Sequence, residues 1–136
     1  MKVSDVLKEK GARVMTVRPN DTVRQLTSRL REERVGAFVV SADGRQMTGI
    51  VSERDVVNCL DQHGSTAPGV KVEEIMSKNV ITCVPSDSLT AIARKMTENR
   101  IRHLPVLEAG ALAGRMKQAG RMWVFLPRAA EETAQD

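Results

Sequence analysis

The chain has 136 residues, which is enough for one compact domain or for two small motifs that share one core. Hydrophobic residues make up 41% and charged residues 28%, as in ordinary globular proteins. Aromatic residues make up only 2%, so the stacking platforms of a single-strand nucleic-acid binder are missing. The net charge of +4 comes from cations interspersed with acids rather than from a basic stripe, and we expect no nucleic-acid partner.

The cysteines and the apolar runs indicate where the protein works. Cys59 and Cys83 show no metal-ligand spacing and no disulfide framework, so we expect small packing residues in a reducing compartment. The N-terminal residues 1–5 lack the apolar core of a signal peptide. The longest purely apolar run, 122–126, is too short to span a bilayer. We therefore expect a cytoplasmic protein with no membrane partner and no metal site.

In chain order, the first half alternates helices and strands, and its apolar spacing predicts an α/β fold. The predicted elements are a helical turn with Val3, Val6 and Leu7, an extended piece at 14–17, a helix with Val23, Leu26 and Leu30 on its apolar side, a buried strand at 37–40, a hairpin turn at 42–44, a returning strand at 48–51, and a helix from about Glu53 to Leu60 with Val56, Val57 and Leu60 on its apolar side. The polar stretch 62–69, rich in Gly, Ser and Pro, reads as a linker.

After the linker the pattern begins again, with Val72, Ile75 and Met76 in the spacing of Val3, Val6 and Leu7. The later matches all share one offset of 66 positions, which indicates an internal duplication. They pair Thr82, Pro85, Asp87, Leu89, Ile92, Met96, Arg100, Val106 and Gly110 with Thr16, Pro19, Asp21, Val23, Leu26, Leu30, Arg34, Val40 and Gly44. Two halves of this size bury little core alone, so we expect them to pack on one another around a pseudo-two-fold axis.

The stretch 49–55 joins the returning strand of the first copy to the following helix. Ser52 is a good N-cap, and Asp55 lies one helical turn later. Free amides at a helix start, a hydroxyl and a carboxylate can together hold a phosphate and a sugar diol, as a nucleotide would require. The alternative is a capping box, in which the same two residues only start the helix.

These residues carry a family resemblance. The motifs are Thr-x-x-Pro-x-Asp, a helix, "Val-Gly-Ala-Phe-Val-Val" or "Ile-Arg-His-Leu-Pro-Val", a strand and Gly-x-x-Ser-x-x-Asp. The order of motifs resembles a tandem of CBS (cystathionine-β-synthase) domains. The resemblance runs from about Val3 to Gly114, and the chain looks like a small stand-alone bacterial Bateman module. It implies two α/β motifs packed sheet against sheet, homodimerisation, and a regulatory sensor of adenosine-type nucleotides rather than an enzyme.

The second copy departs from the family where the first is strongest. Opposite 49–55 stands 114–120, which has no hydroxyl followed by an acid, and Arg115 and Lys117 interrupt the expected buried strand. We divide the chain into motif 1 (1–64), a linker (65–70), an incomplete motif 2 (71–120) and a divergent tail (121–136), whose end we expect to be frayed or weakly helical. The abrupt loss of pattern leads to the hypothesis of a changed reading frame, which the nucleotide sequence would test.

The resemblance also implies a site, because in this family each cleft is shared between the two motifs. The first motif supplies the corner at Ser52, and the second supplies the strand before its Pro and the segment ahead of "Pro-Val". The implied ligand-binding residues are Val51, Ser52, Asp55, Val80, Ile81, Thr82, Arg102, His103 and Pro105. The symmetric cleft needs an acid near Gly120 and has none, so we expect at most one working cleft per chain.

The chemistry of each residue suggests its role in that cleft. The Asp55 carboxylate would accept hydrogen bonds from ribose hydroxyls, and Ser52 with its neighbouring amides would face phosphate. Arg102 can clamp phosphate and His103 can add a donor, although His103 can equally be a partly buried strand-end histidine. The aliphatic residues that would enclose the adenine are Val51, Val80 and Ile81.

Two functions of different classes stay open. One is a regulatory module that binds AMP, ADP, ATP or NAD(H), requires no cofactor, and alters a partner protein or its own oligomer. The other is an interaction scaffold with empty clefts that dimerises through the helices around 23–30 and 89–96. An enzyme is less favoured, because His63 and His103 are the only histidines and no nucleophile–base pair is visible.

Overall fold

The computed structural model of the protein describes residues 1–5, 15–119 and 122–126, and at 113–119 and 122–126 it describes the backbone. The chain forms two compact units, residues 16–80, which we call the first unit, and residues 1–15 with 81–136, which we call the second unit. The predicted positions of Val6, Leu7 and Val14, Gly120, and the tail at 128–136 lie outside the described residues.

The first unit holds a three-stranded sheet in the order β1–β2–β3, with β1 parallel and β3 antiparallel to β2. All four residues of β2 are buried, as the sequence predicts. Its elements are β1 (Thr16–Val17), α1 (Val23–Glu33), β2 (Ala37–Val40), β3 (Gly49–Ser52), α2 (Glu53–His63), a 3-10 helix (Gly64–Gly69) and α3 (Val72–Ile75).

The second unit holds an antiparallel sheet in the order β4–β5–β6, which follows helix α4 (Leu89–Asn99) along the chain. Its core cluster is formed by Val3, Cys83, Ile92, Met96, Leu104 and Val106. Its elements are α4 (Leu89–Asn99), β4 (His103–Glu108), β5 (Ala111–Ala119) and β6 (Met122–Leu126).

Helices α1 and α4 begin and end in the same way, as copies of one ancestral helix would. Thr22 caps α1 in a capping box with Gln25, and Ser88 caps α4 by accepting a hydrogen bond from the amide of Ala91 at 3.1 Å. Each helix ends at an arginine in the left-handed region, Arg34 at φ 55° and Arg100 at φ 54°. Non-glycine residues rarely adopt this conformation, so its recurrence at the same offset supports the duplication.

The Thr-x-x-Pro-x-Asp motif forms the same turn in both copies. The Asp21 carboxylate accepts a hydrogen bond from the amide of Arg18 at 2.9 Å, and the Asp87 carboxylate accepts one from the amide of Val84 at 3.0 Å. The acid closes a turn ahead of each helix, which is why the motif needs it at that spacing.

The leading segment of each copy packs in the unit that holds the other copy's helix. In the second unit the amide of Val3 donates to the carbonyl of Asp87 at 2.8 Å. In the first unit the amide of Val72 donates to the carbonyl of Asp21, also at 2.8 Å. Both valines are fully buried, so each leading segment contributes to a core. The domain boundaries drawn from the repeat stay a prediction.

Helix α2 differs from its predicted form in length and in orientation. It extends to His63, and the predicted linker continues as a 3-10 helix in which Ala67 is fully buried. The expected apolar side is wrong at two positions, because Val57 is 62% exposed and Leu60 is 51% exposed. The buried residue of the helix is Cys59, which packs with Val23 and Ala67.

The expectation that Arg115 and Lys117 break the strand of the second copy is also wrong. Both lie within β5, a strand of nine residues that pairs with β4 and continues into β6 through the pair Ala119 and Met122. A strand places alternate residues on opposite faces, so it tolerates polar residues at every second position. The absence of a helical pattern at 122–126 agrees with the strand β6 found there.

Candidate functional site

The Ser52–Asp55 corner forms as the sequence predicts, where β3 ends and α2 begins. One carboxylate oxygen of Asp55, Oδ2, accepts hydrogen bonds from the amide of Ser52 at 2.8 Å and from its hydroxyl at 3.2 Å. Both residues are half-buried. The corner is thus a real capping arrangement, and the other oxygen, Oδ1, makes no hydrogen bond within the described part of the chain.

The start of α2 offers fewer amides than an isolated helix would. The amide of Glu53, the first residue of the helix, donates to the carbonyl of Gly36 at 3.0 Å. Four amides lack an intrahelical partner at a free helix start, and two of them, those of Ser52 and Glu53, are already satisfied here. Any anion at this corner would therefore depend more on Ser52 and on neighbouring cations than the sequence suggested.

The strand β3 is paired on its far side with the segment that leads to Val80. Ile50 and Ser77 exchange two backbone hydrogen bonds, of 3.0 and 2.9 Å. In the first unit, the Ser52–Asp55 corner and Val80 therefore belong to neighbouring segments. Val80 is half-buried, whereas Val51, predicted to contact adenine, is fully buried.

Gly49 makes this pairing possible, and sequence reasoning missed its role. A Cβ atom at Gly49 would lie 2.7 Å from the carbonyl oxygen of Ser77 and 2.9 Å from the sulfur of Met76. Distances this short exclude any side chain unless the neighbouring backbone moves. The signal that could have indicated this role is the glycine that opens Gly-x-x-Ser-x-x-Asp, because a glycine within a strand often marks a close approach of another backbone segment.

In the second unit, the residues predicted around Pro105 gather along one edge of β4. The amide of Cys83 donates to the carbonyl of Pro105 at 3.0 Å, and the amide of Leu107 donates to the carbonyl of Cys83 at 2.9 Å. This parallel bridge lays Ile81 and Thr82, both half-buried, beside the strand. At the start of that strand, Arg102 is exposed, His103 half-buried and Pro105 buried.

The segment that carries Thr82 is held by a lysine that the sequence analysis did not single out. The ammonium of Lys95 donates to the carbonyl of Thr82 at 3.0 Å and lies 3.7 Å from the carboxylate of Asp87. The position equivalent to Lys95 in the first copy is Arg29, whose guanidinium lies over the ring of Phe38 at 5.0 Å. The two copies thus use the same position differently, and only the second uses it to fix a candidate ligand segment.

The two cysteines are free and buried, as predicted. Burial, with a smaller contribution from Asp87, raises the pKa of Cys83 to about 12, and burial also raises the pKa of Cys59. Both side chains therefore stay protonated near neutral pH, and a protonated thiol is a poor nucleophile and metal ligand.

Within residues 1–5, 15–119 and 122–126, no three His, Cys, Asp or Glu residues stand close enough to hold a metal ion. Over the same part of the chain, no helix has the length and apolar character needed to cross a bilayer.

Comparison with known proteins places this geometry in a family. The family model described as CBS domain matches residues 3–62 and residues 72–115. The chain belongs to the CBS domain family. Its two matches make it a tandem CBS protein, and together they span both the Ser52–Asp55 corner and the Pro105 strand.

Relatives of this tandem CBS protein are found among curated proteins and solved structures. It is 32% identical over 120 residues to the CBS domain-containing protein CBSX3, mitochondrial, of Arabidopsis thaliana, a match that covers 82% of this chain and 58% of that protein. The solved CBS-domain containing protein ATU1752 from Agrobacterium tumefaciens is 36% identical with a TM-score of 0.80, covering 86% of this chain and 93% of that one.

A more distant solved structure is the CBS domain pair of protein MJ0100 in complex with 5-methylthioadenosine and S-adenosyl-L-methionine. It is 21% identical with a TM-score of 0.74, covering 86% of this chain and 92% of that one, a likeness of fold alone. These matches agree with the predicted α/β fold of a CBS pair.

The structure brings the nine predicted site residues together as two groups, one in each unit. Val51, Ser52, Asp55 and Val80 belong to the first unit, and the other five belong to the second unit. The second group consists of Ile81, Thr82, Arg102, His103 and Pro105.

Proposed function

We propose that this tandem CBS protein is a non-catalytic regulatory module that binds an adenosine nucleotide in a cleft shared by its two motifs. The observation that carries the proposal is the Asp55 carboxylate, fixed at the end of β3 by the Ser52 amide at 2.8 Å. That bond orients the acid and uses only Oδ2. An ionised carboxylate only accepts hydrogen bonds, so Oδ1 suits the hydroxyls of a ribose.

The second group of residues supplies the remaining contacts in this proposal. Exposed Arg102 can reach phosphate with its guanidinium, and half-buried His103 can add a donor. Ile81 and Val80 would enclose the adenine, with Val51 behind them as core, because Val51 is fully buried. The candidate ligands are AMP, ADP, ATP and NAD(H), and the MJ0100 complex supports the choice by showing adenosine-type ligands in a pair of the same fold.

The alternative function is an interaction scaffold without a ligand. It is supported by the Asp55 carboxylate itself, since a cap that already bonds Ser52 twice needs no ligand to explain it. The apolar sides of the two helices expected to dimerise are occupied, because Leu26 of α1 and Ile92 of α4 are fully buried. A dimer would instead use other surface residues, and we propose the exposed pair Val57 and Leu60 on α2 as its apolar contribution.

Three further properties belong to this proposal. The protein requires no cofactor and catalyses no reaction, because its buried thiols are protonated and the site contains no nucleophile–base pair among the described residues. It works in the cytoplasm, where free cysteines such as Cys59 and Cys83 persist. It acts as a homodimer that conveys the ligand state to a regulated partner protein.

The test is a calorimetric titration of AMP, ADP, ATP and NADH into wild-type protein and Asp55→Asn. The asparagine can still accept the hydrogen bond from Ser52, so the helix start is kept while the charge that holds the ribose is lost. We expect nucleotide affinity to fall at least about tenfold, since a hydrogen bond to a charged group contributes about 1.5–3 kcal/mol.

The matched control for this test is Asp61→Asn, because Asp61 is an exposed acid farther along the same helix. Its affinity should equal that of the wild type. If wild-type protein shows neither heat nor a thermal shift at millimolar nucleotide, the scaffold replaces the sensor as the account of function.

A further inference from the structure

The peptide group that joins Thr82 to Cys83 is held by a hydrogen bond at each end. Its carbonyl, that of Thr82, accepts from the ammonium of Lys95 at 3.0 Å. Its N–H, that of Cys83, donates to the carbonyl of Pro105, also at 3.0 Å. A peptide group is planar, so hydrogen bonds at its two opposite ends fix the orientation of the whole plane. Lys95 thereby acts on Thr82 and Pro105, two residues of the proposed nucleotide site, through one peptide group.

Strand pairing holds this segment less extensively in the second copy than in the first. The first copy pairs both residues of β1 with β2 in a parallel ladder, whereas the equivalent segment of the second copy makes one bridge, between Cys83 and Val106. Pro105 stands at the position that Val39 has in the first copy, and proline has no N–H to donate to a neighbouring strand. The hydrogen bond from Lys95 therefore holds a segment that its shorter ladder leaves less fixed.

The ammonium of Lys95 is directed to this segment by an acid in the turn ahead of α4. It lies 3.7 Å from the carboxylate of Asp87, and that carboxylate also accepts a hydrogen bond from the amide of Val84 at 3.0 Å. An ammonium has three donors and no acceptor, so it can contact the carboxylate and the Thr82 carbonyl together. The side chains of Lys95 and Asp87 are 40% and 27% exposed, and an ion pair this open to solvent adds little to stability. The contact therefore provides a fixed position for the ammonium rather than a large stabilisation.

The equivalent residue of the first copy has a different partner. Arg29 lies over the ring of Phe38, with 5.0 Å between its guanidinium and the ring centroid. Strand β1 of the first copy supplies no residue of the proposed site, whereas the equivalent segment of the second copy supplies Ile81 and Thr82. The cation thus holds the segment in the copy whose segment belongs to the proposed site, which favours a role in binding over a general role in the fold.

We propose that Lys95 is a positioning residue for nucleotide binding, which holds the Thr82–Cys83 peptide group in the orientation that the ligand requires without contacting the ligand itself. The inference rests on the proposed function, in which Ile81 encloses the adenine and Thr82 and Pro105 are ligand contacts. Without the bond from Lys95, the peptide group would adopt the binding orientation for only a fraction of the time. The apparent affinity would fall by that fraction, whichever nucleotide binds.

The test compares the affinities of adenosine, AMP and ATP for wild-type protein, Lys95→Met and Lys95→Arg. Methionine keeps an unbranched apolar side chain but donates no hydrogen bond, so each ligand should bind about fivefold more weakly, as for the loss of one ordinary hydrogen bond. The loss should be the same for all three ligands, because Lys95 acts through the peptide group and not through phosphate. Arginine retains the charge and the donors, so Lys95→Arg should restore most of the affinity.

Amide hydrogen exchange of the ligand-free protein gives a second readout of the same peptide group. The amide of Cys83 should exchange about fivefold faster in Lys95→Met, because the opposite end of its peptide group is no longer held. The amide of Ile92, which donates to the carbonyl of Ser88 at 3.0 Å within the same helix as Lys95, should exchange as in the wild type. Arg94→Met is the matched control, since Arg94 is the neighbouring cation on α4 and is exposed, and its affinities and exchange rates should equal those of the wild type.

The possible outcomes separate this inference from the proposed function. If the wild type and Lys95→Met bind nucleotides equally well, the inference is wrong and the proposed function stands. If the loss grows from adenosine to ATP, Lys95 contacts phosphate directly and is not a positioning residue. If Lys95→Arg binds as weakly as Lys95→Met, or if the amides of Cys83 and Ile92 both exchange faster, a general effect on the fold replaces the inference. If the wild type binds no nucleotide, both proposals fail.

Discussion

Replacing Gly49 by alanine tests the geometry that joins the two segments of the first unit. The new Cβ would lie 2.7 Å from the carbonyl oxygen of Ser77, and this backbone atom cannot move without disturbing the two hydrogen bonds between Ile50 and Ser77. Losing those bonds costs about 1 kcal/mol each, and overpacking costs about 1–3 kcal/mol. We expect Gly49→Ala to lower the free energy of unfolding by about 3–5 kcal/mol, or the melting temperature by about 10–18 °C.

Urea denaturation followed by circular dichroism measures this loss, and Gly69→Ala provides the matched control. Gly69 has no atom within 4 Å of the position of a Cβ, and its φ is not positive. That substitution should leave stability unchanged or raise it by about 0.4–1 kcal/mol, because alanine restricts the unfolded chain. Equal unfolding midpoints for Gly49→Ala and the wild type would refute the close approach of Ser77 to β3.

Three other predictions concern the hairpin, a buried thiol and an exposed helix face. Ala109 has φ 53° in the two-residue turn between β4 and β5, so Ala109→Gly should raise the free energy of unfolding by about 0.5–1 kcal/mol, and a lower urea midpoint would contradict this. The pKa of Cys83 is raised from 9.0 to about 12, so above pH 9 the unfolded thiol loses its proton while the folded one keeps it. Stability should therefore fall as pH rises from 9 to 12, by up to about 1.4 kcal/mol per pH unit, and an equally steep fall in Cys83→Ala would refute the assignment. The double variant Val57→Thr/Leu60→Gln should change the free energy of unfolding by less than about 0.5 kcal/mol when the protein is diluted to the monomer, and a larger loss there would mean that these side chains are covered within one chain.

The repeat explains why much of the fold could be predicted from the sequence. A duplication gives each pattern twice, so the turns at Asp21 and Asp87 and the helices that follow them support one another. The corner at Ser52 could be predicted because a cap followed one turn later by an acid has few other interpretations. Local rules of this kind depend on neighbouring residues, which the sequence displays directly.

Features that depend on distant contacts could not be predicted. Val57 and Leu60 have helical spacing like that of core residues, but the contacts with Val23 and Ala67 select Cys59 as the buried face of α2. Such a selection is a tertiary effect, and periodicity alone cannot distinguish two overlapping apolar faces.

Two further features also depend on contacts between residues far apart in the chain. They are the packing of each copy's leading segment in the unit of the other copy's helix, and the β4–β5 hairpin of the second unit. Backbone hydrogen bonds such as that from Val3 to Asp87 join residues far apart in the chain, and no local pattern marks them. Strand β5 forms because its backbone pairs on both sides, which outweighs the polar residues Arg115 and Lys117 that made it look unlike a strand.

The candidate site was predicted in its chemistry but not in its details. The sequence indicated a hydroxyl and an acid at one helix start, but not that Oδ2 of Asp55 would be occupied by Ser52 or that the amide of Glu53 would be bound to Gly36. Those bonds reduce what the corner offers a phosphate and leave the ribose as the proposed partner of Asp55. In the proposed site, Arg102 would therefore carry a larger part of the contact with phosphate.

The central proposal is that each chain binds one nucleotide, with Asp55 and the residues around Pro105 as its contacts. The most direct test is the stoichiometry of ATP binding to the purified protein, measured by isothermal titration calorimetry with the chain concentration known. We predict saturation at one nucleotide per chain, abolished or strongly weakened in Asp55→Asn. Saturation at two nucleotides per chain, or undiminished binding in that variant, would contradict the account.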